Sequence, residues 1–418
     1  MTSESSVANQ KTMATVKPDV AAVAPKLLTR MLVALLEQLK VGQLTLRDEN
    51  GWQQSYGDPQ SDLAAEIVVL DSQFYKAVVS GGSIGAAEAY MNGWWDSPDL
   101  TMVIRLMAAN MATLDAIESQ SSPLKRLIMK LVHKFNGNTV SGSKRNIAHH
   151  YDLSNAFYQL FLDETMMYSS GVYPDAESSL LQASEHKLKL VCDDLELTDA
   201  DHLLEIGTGW GGLACFAAKN YGCKVTTTTI SYAQYQFAQQ RVKDAGLEQQ
   251  VTVLKEDYRK LQGTYSKLIS IEMIEAVGYE HLSTFFDRCS SLVRDNGKML
   301  LQVITIADQR ERYYRRNVDF IQRYIFPGGY LPSVAVLADK VAQYSDLAIR
   351  QVRDIGLDYA RTLKDWRDNF DGQLEQVKAL GFDDRFIRMW RFYLCYCEGG
   401  FHERSISTVQ MVLDKPTR

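Results

Sequence analysis

The sequence predicts an α/β fold: a doubly wound sheet with helical insertions, preceded by a small α+β domain. Two observations carry this. At 203–212, LLEIGTGWGG is an apolar run that ends in Glu205 and passes into Gly207, Gly209, Gly211 and Gly212, with the helix-like LACFAAKN directly behind it. A buried strand, a tight glycine turn and a helix N-terminus in that order let a cofactor lie against the main chain. Around that turn, strand-like runs at 202–207, 223–230, 251–255, 267–272 and 298–306 alternate with helical stretches near 212–220, 232–245 and 280–294. Such alternation builds a doubly wound sheet.

One acid present and one missing narrow the cofactor. Gly207, Gly209 and Gly212 also fit the dinucleotide spacing G-x-G-x-x-G, a weak match by itself. A dinucleotide site needs an acid about 20 residues on for the ribose hydroxyls, and 224–231 reads KVTTTTIS, with none. Glu205 stands just before the glycines, where a carboxylate suits a cationic cofactor half such as the amino acid of S-adenosylmethionine (SAM). The loop lacks a P-loop lysine, which argues against a nucleoside triphosphate. SAM is favoured over NAD, and a purely structural glycine turn stands as the third reading.

Along the chain, residues 1–24 are polar and poor in large apolar side chains, the composition of a disordered tail. Residues 25–118 read as a compact small domain. It opens with apolar residues at helical spacing in KLLTRMLVALLEQL, continues with a hairpin pattern at 41–57 and closes with a helical run from Asp99 to Ile117. The connector 119–145 holds Lys125, Arg126, Lys130, Lys134, Lys144 and Arg145 and no acid. Within it Leu124, Leu127, Ile128, Leu131 and Val132 share one helical face, with the bases opposite. That helix suits an anionic membrane surface, or it packs as an ordinary surface helix on its own domain. Residues 146–418 form the cofactor-binding domain. Its segment 141–200 reads as helical, including the connector's last residues, and 308–350 is an insertion rich in Arg and aromatics. Two long helices follow, and STVQMVLDK is the last strand.

Composition removes several function classes. The 418 residues suit two domains, and a net charge of −6 does not indicate bulk nucleic-acid binding. No uncharged apolar run reaches transmembrane length, and the N-terminus lacks the apolar core of a signal peptide. The six cysteines form no C-x-x-C pair and the seven histidines no zinc spacing. Reduced thiols in a cytoplasmic protein without a transition metal are expected.

Several segments together resemble the cyclopropane-fatty-acyl-phospholipid synthases and their mycolic-acid relatives. They are HHYDLSNAFYQLFLDETMMYSSGVY, LLEIGTGWGG, TTTISYAQYQFAQ, ISIEMIEAVG, RYIFPGGYLPS and WRFYLCYCEGGF, in the family's order. GAAEAYMNGWW in the small domain resembles the longer bacterial members. The resemblance implies a class I SAM-dependent methyltransferase fold, Rossmann-like with a seven-stranded sheet, acting on unsaturated phospholipids. It also implies an N-terminal domain that helps hold the lipid, and it tips the connector toward an anionic membrane surface, with peripheral membrane association. A homodimer is a further expectation.

Residue by residue, the resemblance assigns Tyr168 and Ser169 to a pair that closes over SAM. Glu205, Gly207 and Gly209 become loop contacts, Thr229, Ser231 and Gln234 second-strand contacts, and Tyr258 and Arg259 the adenine-flanking pair. Thr208 replaces the family's cysteine between the first glycines. Thr229 and Ser231 also read as a strand end with a helix cap. Family members use bicarbonate as a base, and its cradle maps to Ser170, Glu275, Gln302, Ile304 and Tyr359. Ser170 and Gln302 depart from the cysteine and histidine usual in cyclopropane-forming members. Glutamine resembles a subgroup that makes methyl or methylene branches, and a methylene product requires a separate reductase. Cys397 matches a cysteine once assigned as catalytic, yet no partner base is identifiable for it, and a packed thiol is the favoured reading.

Overall fold

The computed structural model describes residues 27–111 and 153–417. The N-terminal tail, the basic connector and the first residues of HHYDLSN lie outside the described residues. The larger domain is a sheet in the order β10-β11-β9-β8-β5-β6-β7. Its strands are β5 (His202–Ile206), β6 (Lys224–Thr228), β7 (Val251–Leu254), β8 (Tyr265–Ile271), β9 (Val293–Ile306), β10 (Ala348–Asp354) and β11 (Ile406–Asp414). β9, β8, β5, β6 and β7 run parallel, while β11 and β10 add antiparallel at one edge. The parallel strands are apolar or small almost throughout because helices cover both faces. β8, YSKLISI, is buried at every position but the last.

From β5 the chain winds outward through β6 and β7, then returns to the other side of β5 to lay down β8 and β9. The order therefore reverses between β5 and β8, and ligands of open α/β sheets bind at the carboxyl ends of such a pair. Glu205 is the penultimate residue of β5, and Glu272 directly follows β8.

The small domain is a sheet in the order β2-β1-β3-β4. It comprises β1 (Gln43–Asp48), β2 (Gln53–Gly57), β3 (Ala64–Val69) and β4 (Trp95–Asp96). The hairpin at 41–57 is present as β1 and β2, and β3 lies parallel to β1 on its other side. The run after Asp99 is a helix over Leu100–Ala109, and Asp99 caps it by accepting the Met102 N–H at 3.0 Å. One apolar cluster runs without a break from Leu32 and Leu44 of the small domain to Trp390 and Phe392 of the helix Asp384–His402. Arg388 of that helix reaches across to the Trp95 carbonyl at 2.8 Å and Asp96 at 3.0 Å, and its guanidinium stands 3.9 Å over the Tyr90 ring.

One expectation is corrected. Within the described part of 141–200, helix forms only at Asn155–Tyr158 and Leu180–Asp194; residues 159–179 are turns and irregular backbone. Asp163 diverts the chain there by accepting the Thr165 N–H at 2.7 Å, and the stretch delivers Ser170 to Glu272 at the carboxyl end of β8. The insertion at 308–350 forms the helices Asp308–Tyr314, Phe320–Tyr324 and Val334–Tyr344, and its end enters the edge strand β10.

Candidate active site

Two glutamates follow β8, and their surroundings differ. Glu272 lies in the left-handed region at φ 47°, with its main-chain N–H donated to the Gln302 carbonyl at 2.8 Å. Its Oε1 accepts the Ser170 N–H at 3.0 Å and the Gln302 Nε2–H at 2.8 Å. Its Oε2 accepts the Tyr359 hydroxyl at 2.7 Å. All these partners are donors, so the arrangement fits an ionised carboxylate and leaves one acceptor position on Oε2. Burial raises the carboxyl above its ordinary range, opposed by the bonds from Gln302, Tyr359 and Ser170 and by the charge of Lys187.

Glu275 stands in the next turn. Its Oε1 accepts the Ile304 N–H at 2.6 Å, while its Oε2 is buried without a partner. Burial and then the charge of Glu272 push its carboxyl up to about 8. Two neighbouring carboxylates do not both ionise readily. The donors select Glu272 as the charged one and leave Glu275 protonated near neutrality.

A third acid and a lysine complete the cluster. Glu205 is 4% exposed, accepts the Thr227 hydroxyl at 2.6 Å, and is pushed up to about 8 by burial. Lys187 is fully buried, and its Nζ donates to the Ser169 hydroxyl at 2.9 Å. Burial lowers its ammonium to about 8, opposed by the charges of Glu272, Asp163 and Glu205. A serine oxygen that accepts from an ammonium keeps its own proton free for another acceptor, so Ser169 is set to donate to an anion. Lys187 lies on the buried face of Leu180–Asp194 with Ala183, Ser184, Leu188 and Val191. A lysine at that helical spacing was the visible signal, and sequence reasoning passed over it.

The glycine turn offers room for a cofactor. Gly207 and Gly209 have φ of 105° and 51°, and a Cβ built on Gly209 would meet nothing within 4 Å. A side chain at Gly209 would therefore project into open space, in the loop beyond buried Glu205. Gln234, Thr229 and Ser231 border the end of β6: Thr229 donates to the Gln234 Oε1 at 2.9 Å, and Ser231 caps Tyr232–Asp244. Thr229 and Ser231 hold the cap that was one of their two expected roles.

Comparison with known proteins decides the family. The family described as mycolic acid cyclopropane synthetase matches residues 139–411. Tuberculostearic acid methyltransferase UfaA1 of Mycobacterium tuberculosis is 37% identical over 339 residues, covering 79% of each chain. Cyclopropane-fatty-acyl-phospholipid synthase of Escherichia coli is 34% identical over 355 residues, covering 84% of this chain and 88% of the relative. The chain belongs to the mycolic acid cyclopropane synthetase family. The crystal structure of mycolic acid cyclopropane synthase CmaA1 complexed with SAH and CTAB superposes with a TM-score of 0.61. That match has 28% identity and covers 65% of this chain and 98% of the other. Membership makes the chain an enzyme of a SAM-dependent lipid methyltransferase family with the class I fold. The residues at the turn fit SAM: open space at Gly209, a serine donor backed by an ammonium, and a buried carboxyl group at the strand end that a bound cation would ionise.

The residues expected to cradle bicarbonate find other partners here. Four of the five are donors into carboxylates of the chain itself: Ser170 N–H, Gln302 and Tyr359 to Glu272, and Ile304 N–H to Glu275. The Ser170 hydroxyl, expected on the anion, donates instead to the Gly171 carbonyl at 2.8 Å. The cradle as it stands does not fit a bicarbonate ion, because the Glu272 carboxylate takes the donors such an ion would need.

The remaining assignments separate. Tyr168 shares a hydrogen bond of 2.8 Å with the Tyr393 hydroxyl and packs 5.2 Å from the Trp366 ring. Tyr258 rests 5.5 Å from Phe285, and Arg259 is exposed and paired with Asp257, so their described contacts do not reach the carboxylate cluster. Burial and then the charge of Asp319 push the Cys397 thiol well above its ordinary range, which suits the packed thiol favoured from the sequence. All six cysteines are unpaired.

Lys187→Met keeps the length and apolar stem but removes the ammonium. SAM affinity is expected to fall about 10-fold, as for loss of a charged hydrogen bond. Removing the cation also raises the Glu272 carboxyl further, so the acid limb of the kcat/KM profile moves to higher pH. Lys187→Arg should restore most of the affinity. Calorimetry and a pH profile check both, and an unmoved acid limb would separate Lys187 from the carboxylates.

Proposed function

We propose that the chain transfers a methyl group from SAM to the cis double bond of an unsaturated phospholipid acyl chain, and that Glu272 is the base that completes the reaction. The observation that carries this is the Glu272 carboxylate, held ionised by Ser170 N–H, Gln302 and Tyr359 at the switch point of the sheet. Bound SAM supplies an electrophilic methyl group. The double bond would give its electron pair to that methyl as the methyl–sulfur bond breaks and its pair stays on the departing S-adenosylhomocysteine, leaving a positive charge on the neighbouring carbon. The rings of Tyr168, Trp366, Tyr359 and Tyr393 offer π-faces to such a charge and exclude water that would capture it. Glu272 takes a proton through the open position on Oε2, and the released electron pair forms the final bond. Proton loss from the new methyl closes a cyclopropane directly; if a hydride first shifts from the methyl-bearing carbon to the charged carbon, proton loss from that same methyl leaves an exocyclic methylene branch.

Gln302 and the Ser170 N–H set the position of Glu272 and thereby whether it takes the methyl proton before or after the hydride shift. We favour the methylene branch, which a separate reductase would convert to a methyl branch. Support comes from glutamine and serine in place of the imidazole and thiol of ring-forming members, and from the identity with a tuberculostearic acid methyltransferase. Mass spectrometry of phospholipid acyl chains from cells with and without the protein tests the activity, with a gain of one methylene unit expected. Unchanged acyl chains, with methyl transfer to a soluble acceptor, would overturn the lipid assignment. Proton NMR of the product separates the outcomes: exocyclic methylene signals are expected, and upfield cyclopropane signals alone would contradict the branch.

A further inference from the structure

The wall over this site has an inner and an outer face, both made by 308–328. On the inner side Glu311 is 7% exposed and accepts the Tyr330 hydroxyl at 2.6 Å, and the Tyr314 ring lies 6.3 Å from Tyr330. Tyr330 in turn donates its N–H to the Glu275 carbonyl at 2.9 Å. The wall is thus tied directly to the segment that carries Glu275. On the outer side Arg312, Tyr313, Arg316 and Val318 are exposed, Tyr313 by 49% and Val318 by 62%. Phe326, 38% exposed, ends the row with its ring 6.4 Å from Tyr168 and 6.1 Å from Tyr393. The only acid in 309–318 is Glu311, which is turned inward. A chain of net charge −6 thus presents arginines, a tyrosine and an aliphatic side chain beside its active site, with Asp308 at the start of the segment as the one exposed acid of 308–328.

We propose that this outer face docks on an anionic phospholipid bilayer. Arg312 and Arg316 meet headgroup phosphates, Tyr313 and Val318 seat at the headgroup–acyl boundary, and the acyl chain enters beside Phe326. Guanidinium groups and a tyrosine around an apolar side chain are the chemistry of a membrane–water interface. The location matters because an acyl chain must leave the bilayer to reach Glu272, and here a single layer of residues separates the outer face from the Glu275 segment. The inference rests on the lipid reading of the site and adds the face through which the lipid arrives.

The full-length chain is sedimented with vesicles of equal parts phosphatidylglycerol and phosphatidylcholine, and with phosphatidylcholine alone. Arg312→Gln combined with Arg316→Gln should weaken binding to the anionic vesicles roughly 30-fold, from about 1 kcal/mol per arginine. Tyr313→Ser with Val318→Ser should weaken binding to both kinds. Methyl transfer to unsaturated phosphatidylglycerol in detergent micelles, where docking is bypassed, should survive in both variants. Vesicle binding equal to the parent in both variants would overturn the proposal. So would binding lost only on replacing Lys125, Arg126, Lys130 and Lys134 with Gln, which would put the contact on the connector. Variants that turn a lipid-free oligomer into monomers would assign the face to a second copy and overturn it as well. No micellar transfer by the parent, with the vesicle losses as stated, would defeat the lipid-substrate reading and uphold the docking face.

Discussion

Glu272→Gln is expected to lose methyl transfer by about 10²–10⁴-fold, the range a positioned general base contributes, with SAM affinity nearly unchanged. The amide keeps the size and can accept from Tyr359, but it cannot hold a proton. Glu272→Gly is the more informative variant. The backbone there is left-handed at φ 47°, a conformation glycine adopts without cost. Removing the side chain leaves the Ser170 N–H, Gln302 and Tyr359 without their acceptor, and a small oxyanion can take the vacated place. Added bicarbonate should therefore restore turnover to Glu272→Gly and do nothing for Glu272→Gln, whose amide still fills the cradle. Glu275→Gln imitates the protonated carboxyl that burial and Glu272 impose, so its loss should stay below about 10-fold. The reverse order of losses would make Glu275 the base. The same assignment fixes a pH dependence. A base must be ionised, and Glu272 has its carboxyl raised. Turnover should therefore fall as pH drops through a limb lying above the ordinary carboxylate range, and that limb should vanish from the rescued Glu272→Gly.

Gly209→Val should abolish cofactor binding, with SAM affinity down on the order of 100-fold, about 3 kcal/mol. The position is open, since a Cβ would meet nothing within 4 Å, so the added isopropyl group projects into open space rather than into packed protein. A β-branched residue at φ 51° is also strained, by about 1–3 kcal/mol. Thermal denaturation of the variant reports that strain separately from calorimetric SAM affinity. An unchanged affinity would remove the cofactor from the glycine turn.

Much of this site is legible in the sequence because strand ends and glycine turns are local. LLEIGTGWGG shows the strand, the acid and the turn in one window, and the order of strands and helices places that turn at the centre of the sheet. Gln302 and Ile304, thirty residues beyond Glu272, and Tyr359, on Gly356–Gly372, came only through the family resemblance. What stayed hidden depends on contacts across the chain. Glu272 is visible as an acid three residues before Glu275, but its donors come from 170, 302 and 359, and no periodicity announces that they converge. The same convergence turned the expected bicarbonate cradle into a cradle for a side chain. Lys187 has a local signal, a lysine on the apolar face of its helix, but its meaning depends on Ser169 eighteen residues earlier. The irregular path of 159–179 departs from the helical pattern expected over 141–200. There, side-chain bonds from Asp163 and packing against distant helices outweigh that local pattern.

The central claim, that a carboxylate of the chain takes the proton, is tested most directly by the bicarbonate dependence of the unaltered enzyme. Methyl transfer to unsaturated phospholipid is followed in buffer stripped of carbon dioxide and bicarbonate, then again after bicarbonate is returned. With Glu272 as the base the two rates are equal. A rate that collapses in stripped buffer and recovers with added bicarbonate would contradict the account and return the anion to the cradle.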